Sequence, residues 1–514
     1  AESEISIDPV IKKYFISLTP PSLSDMESDF SRIRSTLIRE HNIKVYSIDI
    51  DVLKKMPQVL RRSGWRVTVT VREGEIILTE EGDKTSRAYG IAVDLGTTKI
   101  AFLLVDLFTG ENIGKKGVMN PQISFGEDVM SRINFAMQDE ENAGKMQKVV
   151  IDQINKSIEE LAIENNVALE EILELTLVGN TAMHHLFLGL PSRQLGLSPF
   201  VALTDQPVEV KARDLGLFIS RGAYAYLMPV IAGFVGSDHL AMILASDISE
   251  GKGNILGIDI GTNTEIVLKT KKGMYSVSTA SGPAFEGAHI RYGMRAAPGA
   301  IERVVIDPET CIPRIQTIGD KKPVGICGSG ILDAVAQLLK AKIINSRGKF
   351  QPDSGCLCID DKGAYQFLLD PDDHTGQLCP CAEGKVAINQ KDIVEIQLAK
   401  SAIRTGINVL LENAGIDFSE IDRIIIAGAF GSYIDPKNIV DIGMFPDISL
   451  KKIFQVGNAA AVGAKMVLVS DALRKKAEEI AANVNYLELT VFPSFSDHFA
   501  KSTLFPEPDP LKIK

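Results

Sequence analysis

Cysteine is absent from the first 310 residues of this 514-residue chain, and only six occur in all. Such scarcity excludes the disulfide framework of a small secreted domain. Ahead of Cys311 it also excludes plant-type iron–sulfur ligand spacing, which needs three closely spaced cysteines and a distant fourth. Positive charge is not in excess: 55 Lys and Arg face 66 Asp and Glu, a net charge of −11. That balance argues against a nucleic-acid surface, where clustered cations must neutralise phosphates. No apolar run reaches the roughly 18 residues of a membrane span, and the N-terminal AESEISIDPV carries no secretory pattern. A cytoplasmic protein without membrane or nucleic-acid partners is expected.

What is present fits a soluble globular chain of two or three domains, with 45% apolar and 24% charged residues. Residues 10–88 read as a small α+β module, either a folded spacer or a working part. Within it, Ser24 followed by Glu27 predicts a capped helix running to about Glu40, with Leu23 as its hydrophobic staple. Val67, Val69 and Val71 alternate ahead of a Gly-containing turn, which predicts a hairpin.

From Tyr89 onward, strand-like runs end in Gly-rich turns at 175–180, 227–234, 424–432 and 453–458. Helical patterns follow at SDHLAMILAS and AAAVGAKMVLVS. A long helix is predicted over DIVEIQLAKSAIRTGINVLLENAG, with Ile393, Ile396, Leu398, Ile403, Ile407 and Leu411 near one face and Gly415 closing it. The alternation implies an α/β fold with a partly parallel sheet. Residues 345–388 are weakly periodic and read as an insertion. The expected division is 89–250 and 251–470 as two halves, with 471–514 as a C-terminal extension.

The chemistry concentrates in a repeat. GIAVDLGTTKIAFLLVD (90–106) returns as GIDIGTNTEIVLK (257–269), placing Asp94 and Asp259 at equivalent strand ends 165 positions apart. Gly96 and Gly261 allow a sharp turn, and consecutive N–H groups there can converge on a phosphate. Thr97, Thr98, Thr262 and Asn263 add short polar side chains, and Lys99 adds charge. Asp94 and Asp259 suit a hydrated Mg²⁺ shared with phosphate oxygens. One such hairpin is an ordinary strand turn, but two read as a clamp across a cleft. In IIIAGAFGSYID (424–435), the stretch Gly428, Ala429, Phe430, Gly431 could let a flat ring lie on bare backbone.

VDLGTT, IDIGTN and IAGAFG resemble the phosphate and adenosine motifs of the acetate and sugar kinase, Hsp70 and actin ATPases. That resemblance implies duplicated actin-like (ribonuclease H-like) halves closing on ATP and Mg²⁺. Further segments narrow it: DPVIKKYF with PPSL, NPQISFGEDVMSRI (120–133), VGNTAMHHLFLG (178–189), SGPAFEGAHI (281–290), GICGSGILDAVAQLL (325–339) and QVGNAAAVGA (455–464). Together they resemble the reductive activators of corrinoid proteins. The Asn-Pro-Gln and Gly-Asn-Thr-Ala-Met-His segments are not shared with kinases or Hsp70. The resemblance implies an ATPase that restores Co(II) to Co(I) in a methyl-transferring corrinoid (iron–sulfur) protein, and small oligomers such as a homodimer. Typical members carry an N-terminal ferredoxin-like domain with a [2Fe–2S] cluster. This sequence has no ligands for one, so residues 1–9 are expected to be the remnant of a linker to it.

Asp238, in AGFVGSDHL, reads either as a general base orienting water or as a helix cap. Glu286 is an alternative carboxylate. His184 and His185 read as packing or capping residues rather than ligands. Cys356, Cys358, Cys379 and Cys381 form a C-x-C…C-x-C pattern that could bind metal, with free thiols the favoured reading. Cys327 reads as a small helix-start residue and Cys311 as incidental. The competing functions are a small-molecule kinase and a nucleotide-gated scaffold of the actin-like type.

Overall fold

A computed structural model describes residues 5–360, 362–369, 385–428, 431 and 433–507. The chain forms two compact units: Ala1–Ala245 with Ala460–Ala482, and Ser246–Ala459 with Asn483–Lys514.

The first unit begins with a four-stranded sheet, β1 (Ile11–Ser17), β2 (Ser47–Ile48), β3 (Arg66–Arg72) and β4 (Glu75–Glu81), in the order β1-β3-β4-β2. Val67, Val69 and Val71 alternate into its core as predicted, and the turn runs through Glu73 and Gly74, both at positive φ. Two helices cover it, α1 (Asp29–His41) and α2 (Ile50–Arg62). Helix α1 starts later than expected. Its cap is Ser28, which accepts the Ser31 N–H, while Ser22–Asp25 close a tight turn of their own and Leu23 is 97% exposed. The local pattern missed this because Asp25 is held by the Arg32 guanidinium at 2.6 and 2.9 Å, which fixes that turn outside the helix.

Next come β5 (Tyr89–Leu95), β6 (Lys99–Asp106), β7 (Asn112–Met119), β8 (Ile172–Gly179), β9 (Val208–Lys211) and β10 (Tyr224–Leu227). They form one sheet in the order β7-β6-β5-β8-β10-β9. Strands β5 to β7 are antiparallel, whereas β8 runs parallel to β5 and β10 parallel to β8. Strand β10 ends at Leu227, short of the apolar run to Phe234, because Pro229 cannot donate to a ladder. The helices are α3 (Val129–Gln138), α4 (Glu140–Glu164), α5 (Thr181–Leu188) and α6 (Ser237–Ala245).

In the second unit, β11 (Ile255–Ile260), β12 (Thr264–Thr270) and β13 (Gly273–Thr279) are followed by a small sheet of β14 (Ala300–Ile306), β15 (Pro313–Thr317) and β16 (Gly325–Ile326). The 345–388 segment contributes a second small sheet, β17 (Cys358–Ile359), β18 (Tyr365–Leu368) and β19 (Ala387–Asn389). Strands β20 (Arg423–Ala427), β21 (Ile453–Gln455) and β22 (Val484–Tyr486) complete the main sheet, ordered β21-β20-β11-β12-β13-β22. Read from β13 to β21, the strands β13-β12-β11-β20-β21 repeat the order and directions of β7-β6-β5-β8-β10, the duplicated actin-like halves expected from the repeat.

Helices α7 (Gly328–Lys340), α8 (Gln390–Ala414) and α9 (Pro436–Asp441) belong to this unit. Gly415 closes α8 in the left-handed conformation, but Leu398 faces solvent and Lys400 takes its place in the buried stripe. Helices α10 (Ala459–Val469) and α11 (Asp471–Asn483) return to the first unit, and α12 (Phe495–Ser502) packs on α8. No helix among the described residues is long and apolar enough to cross a membrane.

The N-terminal sheet joins the first half through charge. Arg213 and Lys211 reach Asp49 at 2.8 and 3.1 Å, and Tyr224 Oη donates to Glu75 at 2.7 Å. At the centre, buried Glu174 accepts from Arg72 (3.1 Å) and from Arg474 of α11 (2.6 Å), and Arg72 also pairs with Glu209 at 3.0 Å. Burial would lower the Arg72 pKa, but the Glu174 and Glu209 charges hold it above its ordinary value. Removing the shared acid leaves two buried guanidiniums without it, the costly kind of break. Glu174→Leu should therefore destabilise the protein by about 3–5 kcal/mol in denaturant titrations. Adding Arg72→Met and Arg474→Met should recover most of the loss, and a near-neutral Glu174→Leu alone would contradict the account.

Candidate active site

In the first unit Asp94 sits one residue before the end of β5, opposite Ala101 of β6 and Val178 of β8. The turn that follows is packed backbone on backbone. A Cβ on Gly96 would lie 2.7 Å from the Lys99 carbonyl, and one on Gly179 would lie 2.7 Å from the Leu95 carbonyl. Both approaches are closed to any larger residue.

Three polar side chains hold the turn. Asn120 donates its amide to Gly96 O and its N–H to Thr98 O, each at 2.9 Å. Arg132 donates to Thr97 O at 2.6 Å and to Gly126 O at 2.9 Å, and Asn180 donates to Thr97 Oγ1 at 2.9 Å. The carbonyls of Gly96, Thr97 and Thr98 are thus all occupied by protein donors. The N–H groups of the same residues meet no backbone acceptor among the described residues. Bare N–H groups beside glycine are a place for phosphate oxygens. Arg132 is fully buried, and burial pulls its pKa down to about 10. Lys99, also expected here, is exposed at the start of β6.

The loop before α6 lies against this turn. Ser237 Oγ accepts from Gly179 N and donates to Gly179 O, both at 3.1 Å, and a Cβ on Gly236 would meet Gly179 O at 2.3 Å. Asp238 is half-buried inside the first turn of α6 rather than at a cap position. Burial, and then the Asp94 charge, push its carboxyl up to about 7. Two carboxylates facing one another retain a proton unless a cation intervenes.

The second unit repeats the design. Asp259 precedes the end of β11, opposite Glu265 of β12 and Ala427 of β20. The turn Gly261, Thr262, Asn263 again offers N–H groups with no backbone acceptor among the described residues. Thr262 Oγ1 donates to Glu286 Oε1 at 2.5 Å, and Thr264 and Ser281 share a hydroxyl hydrogen bond at 2.8 Å. Glu286 therefore braces the turn. Gly428 has φ +93°, and a Cβ there would lie 2.8 Å from Ile260 O and 3.0 Å from Asp259 Oδ1. A Cβ on Gly431 would meet Ala427 O at 2.6 Å. Ala429 and Phe430 lie outside the described residues.

His184 and His185 are fully buried, as packing residues should be. Burial depresses both pKa values, that of His184 to about 3. His185 pins the following loop, with Nδ1 2.8 Å from Thr181 O and Nε2 accepting the Leu203 N–H at 2.9 Å. The cysteines depart from expectation. Cys311 lies against Cys356, with Cα atoms 5.6 Å apart, so Cys311 is not incidental. Strand β14 and its turn bring Cys311 to the insertion across 45 positions, a proximity that spacing alone does not encode. Cys379 and Cys381 lie outside the described residues. Cys327 occupies the N-cap position of α7 as expected, and no group of three or more metal-binding side chains occurs among the described residues.

Sequence reasoning missed Asn120, Arg132, Asn180 and Ser237. The first three lie in segments that resemble the corrinoid activators, but nothing local in those segments points to the turn they hold.

Comparisons with known proteins cover the chain from end to end. Residues 1–86 match the RACo linker region, 89–251 the RACo middle region, and 253–513 the C-terminal domain of RACo, the ASKHA domain. A corrinoid activation enzyme, RamQ, of Eubacterium limosum is 33% identical over 98% of this chain and 85% of its own length. A [Co(II) methylated amine-specific corrinoid protein] reductase of Methanosarcina barkeri is 27% identical over 80% of this chain and 76% of its own. A solved reductive activator for a corrinoid, iron–sulfur protein superposes with a TM-score of 0.86 at 35% identity, covering 99% of this chain and 81% of that one.

The Asp94–Asp238 pair gives a pH signature. Because the folded-state pKa of Asp238 is raised from its ordinary 3.8 to about 7, the native state holds a proton that the unfolded state releases between those values. Stability of the metal-free protein should therefore fall as pH rises through that window. Asp238→Asn should flatten the slope. Chemical denaturation across pH 4.5–7.5 (about three units around the window) measures it, and an unchanged slope in Asp238→Asn would remove Asp238 as its source.

Proposed function

Since the chain belongs to the RACo family of corrinoid activators, we propose that it is an ATP-dependent reductive activator of a corrinoid protein. It couples ATP binding and hydrolysis to the return of Co(II) to Co(I) in a methyl-transferring partner. The observation that carries this reading is the turn after Asp94: the side chains hydrogen-bonded to it, Asn120, Arg132 and Asn180, all come from segments that resemble the corrinoid activators.

In this reading each unit contributes one Asp-tipped hairpin to nucleotide chemistry. The N–H groups of Gly96–Thr98 and Gly261–Asn263 bind phosphate oxygens. Arg132, buried behind the first turn, keeps a positive charge close to them. Asp94 and Asp259 would each offer a carboxylate to the water shell of a bound Mg²⁺, an ion that suits carboxylates with retained waters. Magnesium–ATP, when bound, supplies the free energy of phosphoryl transfer. Asp238 accepts the proton of the attacking water, and its raised pKa suits that task near neutrality. At Gly428 and Gly431 the space for a Cβ is taken by the Ile260 and Ala427 carbonyls, so these glycines serve close backbone packing, and a base would lie beside them.

The coupling follows from linkage. ATP shifts the partner complex toward its reducible state only if it binds that state more tightly, because equal affinity moves nothing. Lifting a 1:99 population to 99:1 takes about 5.5 kcal/mol of differential binding.

Purified protein should hydrolyse ATP faster when a Co(II) corrinoid protein is added, and no sugar or acid should be phosphorylated. Partner-independent hydrolysis with a phosphorylated metabolite would establish a kinase instead, and ATP-induced sedimenting polymers would establish a scaffold. Asp94→Ala and Asp259→Ala should each lower turnover by at least about 100-fold, the scale of a lost transition-state group, with unfolding profiles retained. Near-normal turnover in either variant removes that residue from the metal site.

A further inference from the structure

The second unit carries a cavity away from the Asp259 turn. It holds about 650 Å³ and lies among the end of α7, one side of α8, α9 and the segment after α12. It shares no residue with the β11–β12 turn or with Ile424–Asp435. That volume falls in the range of small-molecule sites, about 300–1,000 Å³.

Its wall carries two cations where hydrophobic side chains would be expected. Lys400 follows Ile393 and Ile396 and precedes Ile403 and Ile407 at 3-4 spacing, so it occupies a core position of α8 and is 1% exposed. Its Nζ donates to Leu504 O at 2.5 Å and lies 5.1 Å from the Phe505 ring centroid. Arg404 lies one turn further along, and its Nε donates to Asn408 Oδ1 at 3.1 Å. Among the described residues no carboxylate pairs with either cation. Burial lowers the Lys400 pKa to about 7 with help from the nearby Arg404 charge, and burial lowers that of Arg404 too. A buried ammonium beside a half-buried guanidinium, with no carboxylate paired to either, is unfavourable without a ligand. An anion would satisfy both, and the guanidinium suits a two-oxygen head group. Phe445 and Phe505 also line it, and at its edge Lys340, Lys437 and Lys501 stand against Asp441, Asp447 and Glu507, so the wall keeps an excess of positive charge.

We propose that this cavity binds a small organic anion, its carboxylate or phosphate seated between Lys400 and Arg404 and its apolar or aromatic body against Phe445 and Phe505. The site is separate from the nucleotide turns and rests on no part of the corrinoid reading.

The test uses the full chain, with benzoate and phenyl phosphate as anionic probes and benzyl alcohol as the uncharged control, in isothermal titration calorimetry. At least one anion should bind one-to-one with a Kd below about 1 mM, and benzyl alcohol at least tenfold more weakly. Which anion binds tighter tells carboxylate from phosphate ligands. Arg404→Gln should weaken binding at least tenfold. Lys400→Met, which removes a buried charge and keeps the side-chain length, should do the same and also raise thermal stability without ligand. Failure of both anions to bind wild-type protein overturns the proposal, as does undiminished binding in a folded Lys400→Met variant.

Discussion

The site rests on the meeting of two neighbouring strand ends with nothing between their backbones. Gly179 ends β8 against the Leu95 carbonyl, at a distance where a Cβ would stand only 2.7 Å away. That contact lets Asn180 cap α5 and still reach Thr97. It also lets the Gly236–Ser237 loop lie on Gly179 and carry Asp238 toward Asp94. A side chain at Gly179 would push β8 away from β5, and the turn, the cap and the carboxylate pair would separate together. In the second unit Gly428 has the corresponding place, at the end of the strand that runs parallel to the Asp-bearing one. Duplication has preserved this backbone requirement together with the Asp and Thr of the turn.

Polar groups behind the turn decide what its front can do. Every carbonyl from Gly96 to Thr98 is bonded from the protein side, so the peptide planes are fixed before a ligand arrives. Preorganised donors lose little on binding and stabilise developing charge without rearrangement. Arg132 adds to this a charge whose partners are carbonyl oxygens rather than a carboxylate. Its cationic field is offset only in part, by the nearby Asp128 charge. A lysine would not reproduce the arrangement, because one ammonium cannot span the Gly126 and Thr97 carbonyls as the planar fork does.

Much of the fold was legible because it is written in short-range periodicity. The repeated hairpin, the β3–β4 alternation and the Gly415-capped α8 are all local patterns, and the duplicated strand order follows from them. The site was half legible. Asp-x-Gly-Thr announces a turn and its acid, whereas Asn120, Arg132 and Asn180 act across 24, 35 and 83 positions and have no local signature. The same limit explains the Cys311–Cys356 proximity. The misplaced start of α1 has another cause. Ser24 and Ser28 both satisfy the capping rule, and the choice was made by an Arg32–Asp25 pair that a reading of cap residues does not weigh.

Buried charge is used in two ways in this molecule, and the contrast is informative. Around Glu174 the acid is shared between two arginines and a second acid stands at the edge, so the network is balanced in charge. It fixes where the N-terminal sheet, β8 and α11 meet, in a place where apolar contacts alone would tolerate sliding. Around Lys400 and Arg404 the sign is unbalanced, and the helix gives a core position to an ammonium group. Stability alone would favour methionine or leucine at that position. Balance marks an element that holds the fold, whereas imbalance beside a cavity marks one shaped by something that comes and goes.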